Sequence, residues 1–198
     1  MADILLDGLP VLDLLEIAPS TSVVAQITRR DQSSISRIYR QVSGRLGLEF
    51  CKHHDGRYRA RSNQALLEGL RLSSQWLRLQ GSPAEPRWLA CGLASLATPT
   101  HAPALPPPFS ERCSTPQRLQ GLIKGRVLDL AVLTRPADPA ASAPELLDVP
   151  LLRHPGGIDL IVLRSDQQQQ PALQELIAAI RLHYRQHLEQ HPDLEWLG

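Results

Sequence analysis

Residues 32–47, QSSISRIYRQVSGRLG, carry two patterns at once. Ile35, Ile38, Val42 and Leu46 recur every three or four positions, the spacing that gathers side chains on one face of an α-helix. Ser33, Ser36, Arg37 and Arg40 fall on other faces, so such a helix anchors on its aliphatic side and offers hydroxyls and guanidinium groups on the other. Just upstream, Ser22 to Arg29 (SVVAQITR) predicts a shorter helix, and Arg30, Asp31 and Gln32 supply the tight connection of a helix-turn-helix.

Working outward, Leu9 to Ala18 (LPVLDLLEIA) places Leu12, Leu15 and Ala18 on one stripe, as a first helix closing a three-helix core would. Pro19, Ser20 and Thr21 break it. On the other side, Leu48 to Arg61 (LEFCKHHDGRYRAR) reads as two short strands around Asp55-Gly56, a hairpin turn because glycine tolerates positive φ. This is the wing of a winged helix. Arg57 and Arg59, two apart on the second strand, share a face that reaches a neighbouring groove or phosphate.

The segment Ser62 to Leu79 is helical, with Leu66, Leu70, Ser73 and Leu77 at four-three-four spacing and a second stripe through Leu67, Ser74 and Trp76. A helix apolar on more than one side buries against more than its own small domain, which points to a linker and dimerisation helix; an ordinary core helix is the plainer reading. Gly81, Ser82, Pro83 and Pro86 mark a boundary. The expected organisation is a DNA-binding domain over 1–61, a linker helix over 62–80 and a small domain over 85–198.

Beyond the boundary, Arg87 to Leu96 reads as a strand, Pro99 to Pro108 as irregular proline-rich chain, Pro116 to Lys124 as a short helix and Val127 to Thr134 as a buried strand. A Pro/Ala/Asp-rich loop from Arg135 to Ala143 leads on to Leu151, and Pro155-Gly156-Gly157 turns the chain into a strand over Ile158 to Arg164. The tract Gln167 to Gln170 starts a final helix, Pro171 to about Gln190, with Leu173, Leu176, Ile177, Ile180 and Leu188 inward. Alternating strands and helices predict a small α/β lobe, and the fold class of the chain is α/β overall.

Charge is distributed unevenly. The net value is only +1 over 198 residues, yet between Ser20 and Arg61 nine lysines and arginines face three carboxylates, a local +6. The first nineteen residues hold Asp3, Asp7, Asp13 and Glu16 and no cation. A local basic surface suits a polyanion, because each phosphate neutralised releases a condensed counterion. No apolar run reaches eighteen residues and the N-terminus lacks the pattern of a cleaved leader, so the expectation is a cytoplasmic protein with no membrane segment. Cys51, Cys91 and Cys113 are odd in number and far apart, which argues against a disulfide framework or a four-cysteine zinc site.

With these residues in place, the chain resembles the LysR-type transcriptional regulators. Their first domain has a pair of small residues, a leucine and Ser-Gln leading into a serine-bearing recognition helix that ends in Leu-Gly. Val24-Ala25, Thr28 and Asp31-Gln32 stand at the first positions, and Ser33, Ile35, Ser36, Arg37, Ile38, Val42, Leu46 and Gly47 follow in register. Thr28 replaces the usual leucine and Asp31 the usual serine, a change expected to remove one phosphate contact. Phe50-Cys51, Ala60-Arg61 and Gln64 also depart from the pattern. Leu119 to Val132 resembles the helix-then-strand segment of the family's effector-binding domain, and Leu147 to Arg164 the two strands that follow. That domain has two lobes around a ligand cleft, and here the last helix follows where a second lobe would begin, so the expectation is a shortened, single-lobe effector domain.

If double-stranded DNA is the partner, donor geometry assigns roles. Gln32 presents an amide to adenine, Arg37 a fork to guanine, and Ser33 and Ser36 hydroxyls to bases or phosphates, while Arg29, Arg40, Arg57 and Arg59 neutralise backbone. The plain alternatives are that Gln32 or Ser33 caps the helix and that the arginines are solvated. Cys51, His53 and His54 lack a fourth metal ligand, and His183, His187 and His191, four apart on one helix side, bind metal only if a further ligand faces them. Gly121 to Gly125 lacks the features of a phosphate loop. Nothing points to catalysis, a cofactor or a metal. Two classes stay open: a dimeric or higher homo-oligomeric sequence-specific regulator answering to a small-molecule or protein effector, and a protein-interaction adaptor that keeps the winged fold without operator recognition.

Overall fold

The computed structural model describes residues 4–18, 20–52, 58–80, 85–90, 115–136, 143–188 and 194–198. The chain divides into two compact units, residues 1–76 and 77–198, with the division in the last turn of one helix.

In the first unit a π-helical turn at Ile4–Gly8 leads into α1 (Leu9–Ile17), followed by α2 (Thr21–Thr28), α3 (Gln32–Leu46), β1 (Phe50–Lys52), β2 (Tyr58–Ala60) and α4 (Gln64–Leu79). The first three helices pack on one another. Their boundaries follow from capping. The Ser20 hydroxyl accepts from Val23 N–H at 3.3 Å to start α2, and Asp31, not Gln32 or Ser33, caps α3, its carboxylate accepting from Ser34 N–H at 2.8 Å. Helix α3 ends at Gly47, whose φ of +60° is the left-handed conformation that lets the chain leave a helix. There Asn63 donates to the carbonyls of Leu46 and Gly47 at 2.9 and 3.1 Å, and the Ser62 hydroxyl donates to Gly47 O at 2.9 Å.

The core of this unit matches the expected stripes. Leu12, Leu15 and Ala18 are sealed, as are Ile35, Ile38 and Val42, while Leu46 is half-buried. The approach of the chain to α3 at Gly8 is close enough that a methyl group there would meet a Val42 methyl at 2.6 Å. Helix α4 joins this core through Leu67 and through a buried ion triad: Arg71 donates from Nε to Asp13 and from Nη2 to Glu16, each at 2.7 Å, and Asp13 has no exposed surface.

In the second unit, a five-stranded sheet has the order β3-β4-β6-β5-β7, formed by β3 (Trp88–Ala90), β4 (Leu130–Arg135), β5 (Leu146–His154), β6 (Gly157–Arg164) and β7 (Glu195–Trp196). β3 and β4 are parallel; the other pairs are antiparallel. Helix α5 (Pro116–Lys124) packs on β4 and β6 with Leu119, Leu122 and Ile123 buried. Helix α6 (Pro171–Leu188) sends Leu173, Leu176, Ile177 and Ile180 into a cluster with Trp88, Leu130, Val132, Leu151, Ile161 and Leu163. The combination of helices and a mixed sheet is α/β, as the sequence predicts.

The segment after Arg135 differs from expectation. The connection read from the residues as far as Leu151 is in part strand, since β5 starts at Leu146, one residue before the pair of strands that the family resemblance implies over Leu147 to Arg164. Pro150, which lacks an N–H, sits at a register shift between Pro150 and Leu152, where a strand tolerates proline. At the head of β4, buried Asp129 accepts from Arg78 Nε and Nη2, both at 2.9 Å, and from Arg87 N–H at 2.8 Å. A second buried carboxylate, Asp159, accepts from Thr134 Oγ1 at 2.6 Å, His154 Nε2 at 3.2 Å and Tyr184 OH at 3.3 Å. Gly156 N–H donates to His154 Nδ1, which assigns the ring proton to Nε2. Burial, followed by the adjacent Asp159 charge, pushes the Tyr184 phenol far above its usual range.

Candidate nucleic-acid interface

The outward side of α3 is built by its inward side. Because Ile35, Ile38 and Val42 are 0, 9 and 2% exposed, the helix cannot rotate without breaking the core. Gln32, Ser33, Arg37 and Arg40 are thereby held exposed, while Ser36 is half-buried at the edge. Arg29 is exposed at the end of α2 in a left-handed conformation, φ +52°. Arg59 is exposed on β2, opposite Cys51 of β1; Arg57 lies outside the described residues, as do the turn at Asp55-Gly56 and both His53 and His54.

These side chains hold one another. Gln32 donates from Nε2 to Thr21 Oγ1 at 3.1 Å, bridging the starts of α2 and α3. Arg37 donates to Ser33 Oγ at 3.4 Å, and Ser33 donates to Asp31 Oδ1 at 2.5 Å. Arg40 donates from Nε to the Ser36 carbonyl at 3.2 Å, which sets the guanidinium along the helix and leaves its other N–H groups unused by that bond. Arg30, in the connection, pairs with Asp7 at 2.6 Å. The Asp31 carboxyl is held far below the usual carboxylate range, chiefly by the Ser33 hydroxyl and then by Ser34.

Two features escape sequence reasoning. Tyr39, midway along α3, meets Phe50 of β1 edge-on at 5.7 Å and Tyr58 of β2 at 5.4 Å, so an aromatic cluster fixes the hairpin to the helix. Burial raises the Tyr39 phenol above its ordinary value. Asp31 is the other: it is both the cap of α3 and the acceptor for two serine hydroxyls. A cap signal at Asp31 was present in the sequence, since aspartate before an apolar-periodic segment is a favoured helix start.

The leucine-bearing stripe on α4 also has a definite placement. Leu66 and Leu77 are 45 and 38% exposed, Ser73 is exposed and Leu70 half-buried. Trp76 is on that outer side, 46% exposed, not with buried Leu67 and Ser74 as the second stripe has it, because nine residues from Leu67 is about two and a half turns. Among the described residues no three histidines, cysteines or carboxylates come together to hold a metal, and no helix is long and apolar enough to cross a membrane. His191 and the side chain of His187 lie outside the described residues.

No family model and no curated protein matches the chain. Among solved structures it is similar to a hydrogen-peroxide-bound cysteine-to-serine variant of OxyR from Corynebacterium glutamicum, at 9% identity, over 91% of this chain and 95% of that one, with a TM-score of 0.39. It is similar to a full-length OxyR variant from Pseudomonas aeruginosa at 11% identity, over 88% of this chain and 97% of that one, with a TM-score of 0.44. A third is CrgA from Neisseria meningitidis, a LysR-type transcriptional regulator, at 11% identity over 73% of this chain and 54% of that one, with a TM-score of 0.23.

Proposed function

We propose that the chain is a sequence-specific DNA-binding transcriptional regulator of the LysR type that acts as a homodimer. The observation that carries the reading is the division of α3: an aliphatic side sealed into the first unit, and Gln32, Ser33, Arg37 and Arg40 exposed on the other. Arg37 suits a guanine edge, Gln32 an adenine edge, and Arg29, Arg40, Arg57 and Arg59 the phosphates on either side. Two-fold pairing uses the outer stripe of α4, Leu66, Leu70, Ser73 and Leu77, which places two copies of α3 on one duplex. The domain organisation expected from the sequence belongs to this proposal, with residues 85–198 as a shortened effector-type lobe that answers to a small-molecule or protein effector. Only Ser165 to Gln170 separate β6 from α6, which supports a single lobe at that point.

The test is selection of duplexes from a random pool, followed by affinity measurements over a salt series. A regulator enriches one sequence and binds it with a steep negative salt slope. Arg37→Ala flattens the sequence preference, and Arg59→Ala weakens binding to all sequences alike. An unenriched pool favours the adaptor.

A further inference from the structure

The connection before α3 contains a charge that suits a helix N-terminus but opposes an approaching phosphate. Asp31 is exposed, at the point where a helix N-terminus would otherwise attract phosphate. Among the described residues, its hydrogen-bond partners are neutral. It accepts from Ser34 N–H at 2.8 Å, from Ser34 Oγ at 2.7 Å and from Ser33 Oγ at 2.5 Å.

The polarity of Ser33 follows. An ionised carboxylate can only accept, so the one hydroxyl proton of Ser33 points into Asp31. Arg37 donates to the same Ser33 oxygen at 3.4 Å. A serine hydroxyl ordinarily meets a base edge as donor or acceptor, but this one has its proton committed and only lone-pair density left to offer. In the major groove its match is an exocyclic amino group, N6 of adenine or N4 of cytosine, and not the N7 or O6 acceptors of guanine.

We infer that Asp31 is a specificity-determining residue of the α3 surface: its charge disfavours phosphate-driven binding to arbitrary duplex, and its hold on Ser33 makes that hydroxyl a reader of base amino groups. This rests on the DNA-binding reading above. Asp31→Asn separates charge from capping, because asparagine caps a helix as well as aspartate and its one oxygen can keep the bonds from the Ser33 hydroxyl and Ser34 N–H, while the Ser34 hydroxyl, which donates to the other oxygen, turns to accept from the new amide.

The experiment measures affinity of the full chain and its Asp31→Asn form for the selected duplex and for random-sequence duplex at the same salt, with helicity checked by circular dichroism. Loss of one repelling charge raises random-duplex affinity by about threefold or more over the range from about 50 to 200 mM salt. Affinity for the selected duplex rises less, so the specificity ratio falls. Duplexes with single adenines replaced by purine, or cytosines by pyrimidin-2-one, each lacking the amino group, weaken wild-type binding at one position and leave Ser33→Ala binding unchanged. An Asp31→Asn form with an unaltered specificity ratio, or a Ser33-dependent position that responds to 7-deazapurines instead, would overturn the assignment. A wild-type chain that prefers no duplex overturns the DNA-binding reading, and this assignment with it.

Discussion

Replacing Leu66 and Leu77 with alanine together tests assembly against folding, since a large part of both side chains stays open to solvent in one copy. Complete burial of a leucine contributes about 1.5–3 kcal/mol, so the 45 and 38% of surface still open on Leu66 and Leu77 is worth about 1 kcal/mol each. A two-fold pairing counts each residue twice. The double substitution therefore costs the dimer about 2.5–5 kcal/mol, which raises its dissociation constant by about a hundredfold to several thousandfold. Sedimentation equilibrium over a concentration series measures that constant, and a thermal scan at a concentration where both forms are monomeric measures the fold. The expected outcome is a large shift in the first and a midpoint changed by only a few degrees in the second. A dissociation constant within threefold of the wild-type value would refute the assignment of this stripe to assembly; a collapse of the thermal midpoint would show that the leucines serve the core.

Arg71→Met leaves Asp13 buried without its guanidinium, and equilibrium urea unfolding of the intact chain should report a loss of about 3–5 kcal/mol. Tyr39→Leu keeps apolar bulk but removes two ring contacts, each worth about 0.5–1.5 kcal/mol, and hydrogen exchange should show faster opening of β1 and β2 with α1 unaffected. Asp166 is pushed up by burial, but the hydrogen bonds from Arg164 and Arg126 outweigh that and hold its carboxyl at about 2. With the folded value below the unfolded one, its contribution is fully present above about pH 4 and disappears as pH falls through about 2. Asp166→Asn should therefore lower stability at neutral pH and approach the wild type as pH falls below about 2, as chemical unfolding over that pH range would show.

Local pattern made the first unit legible. Helix α3 has a clean 3.6-residue aliphatic period and a glycine after it, and both agree with the observed span Gln32–Leu46, while its cap is Asp31 and not Gln32 or Ser33. The final helix is likewise set by Leu173, Leu176, Ile177 and Ile180. What local pattern could not supply are partners distant in the chain. Arg71 and Arg78 read as polar positions on a helix, yet both are buried because Asp13, Glu16 and Asp129 meet them from 51 to 58 residues away. The residues alone hid strand β5 behind Asp148 and Pro150, the first paired with Arg135 at 2.6 Å and the second placed at the register shift, and it was implied only by the family resemblance over Leu147 to Arg164. At the candidate interface the exposed residues of α3 could be named from spacing, but the hydrogen bonds that direct their donors could not. The charge of Asp31 reads in the sequence as a lost phosphate contact; its capture of Ser33 and Ser34 appears only in three dimensions.

The most direct measurement is an amide NMR titration of the isotope-labelled full chain with the duplex its own selection yields, at two salt concentrations. Shift changes are expected to concentrate on Gln32 to Arg40 and on Arg59, to be reduced at the higher salt and to be redistributed by Arg37→Ala. Changes confined to the second unit, or the same faint response to selected and scrambled duplex, would contradict the DNA-binding reading.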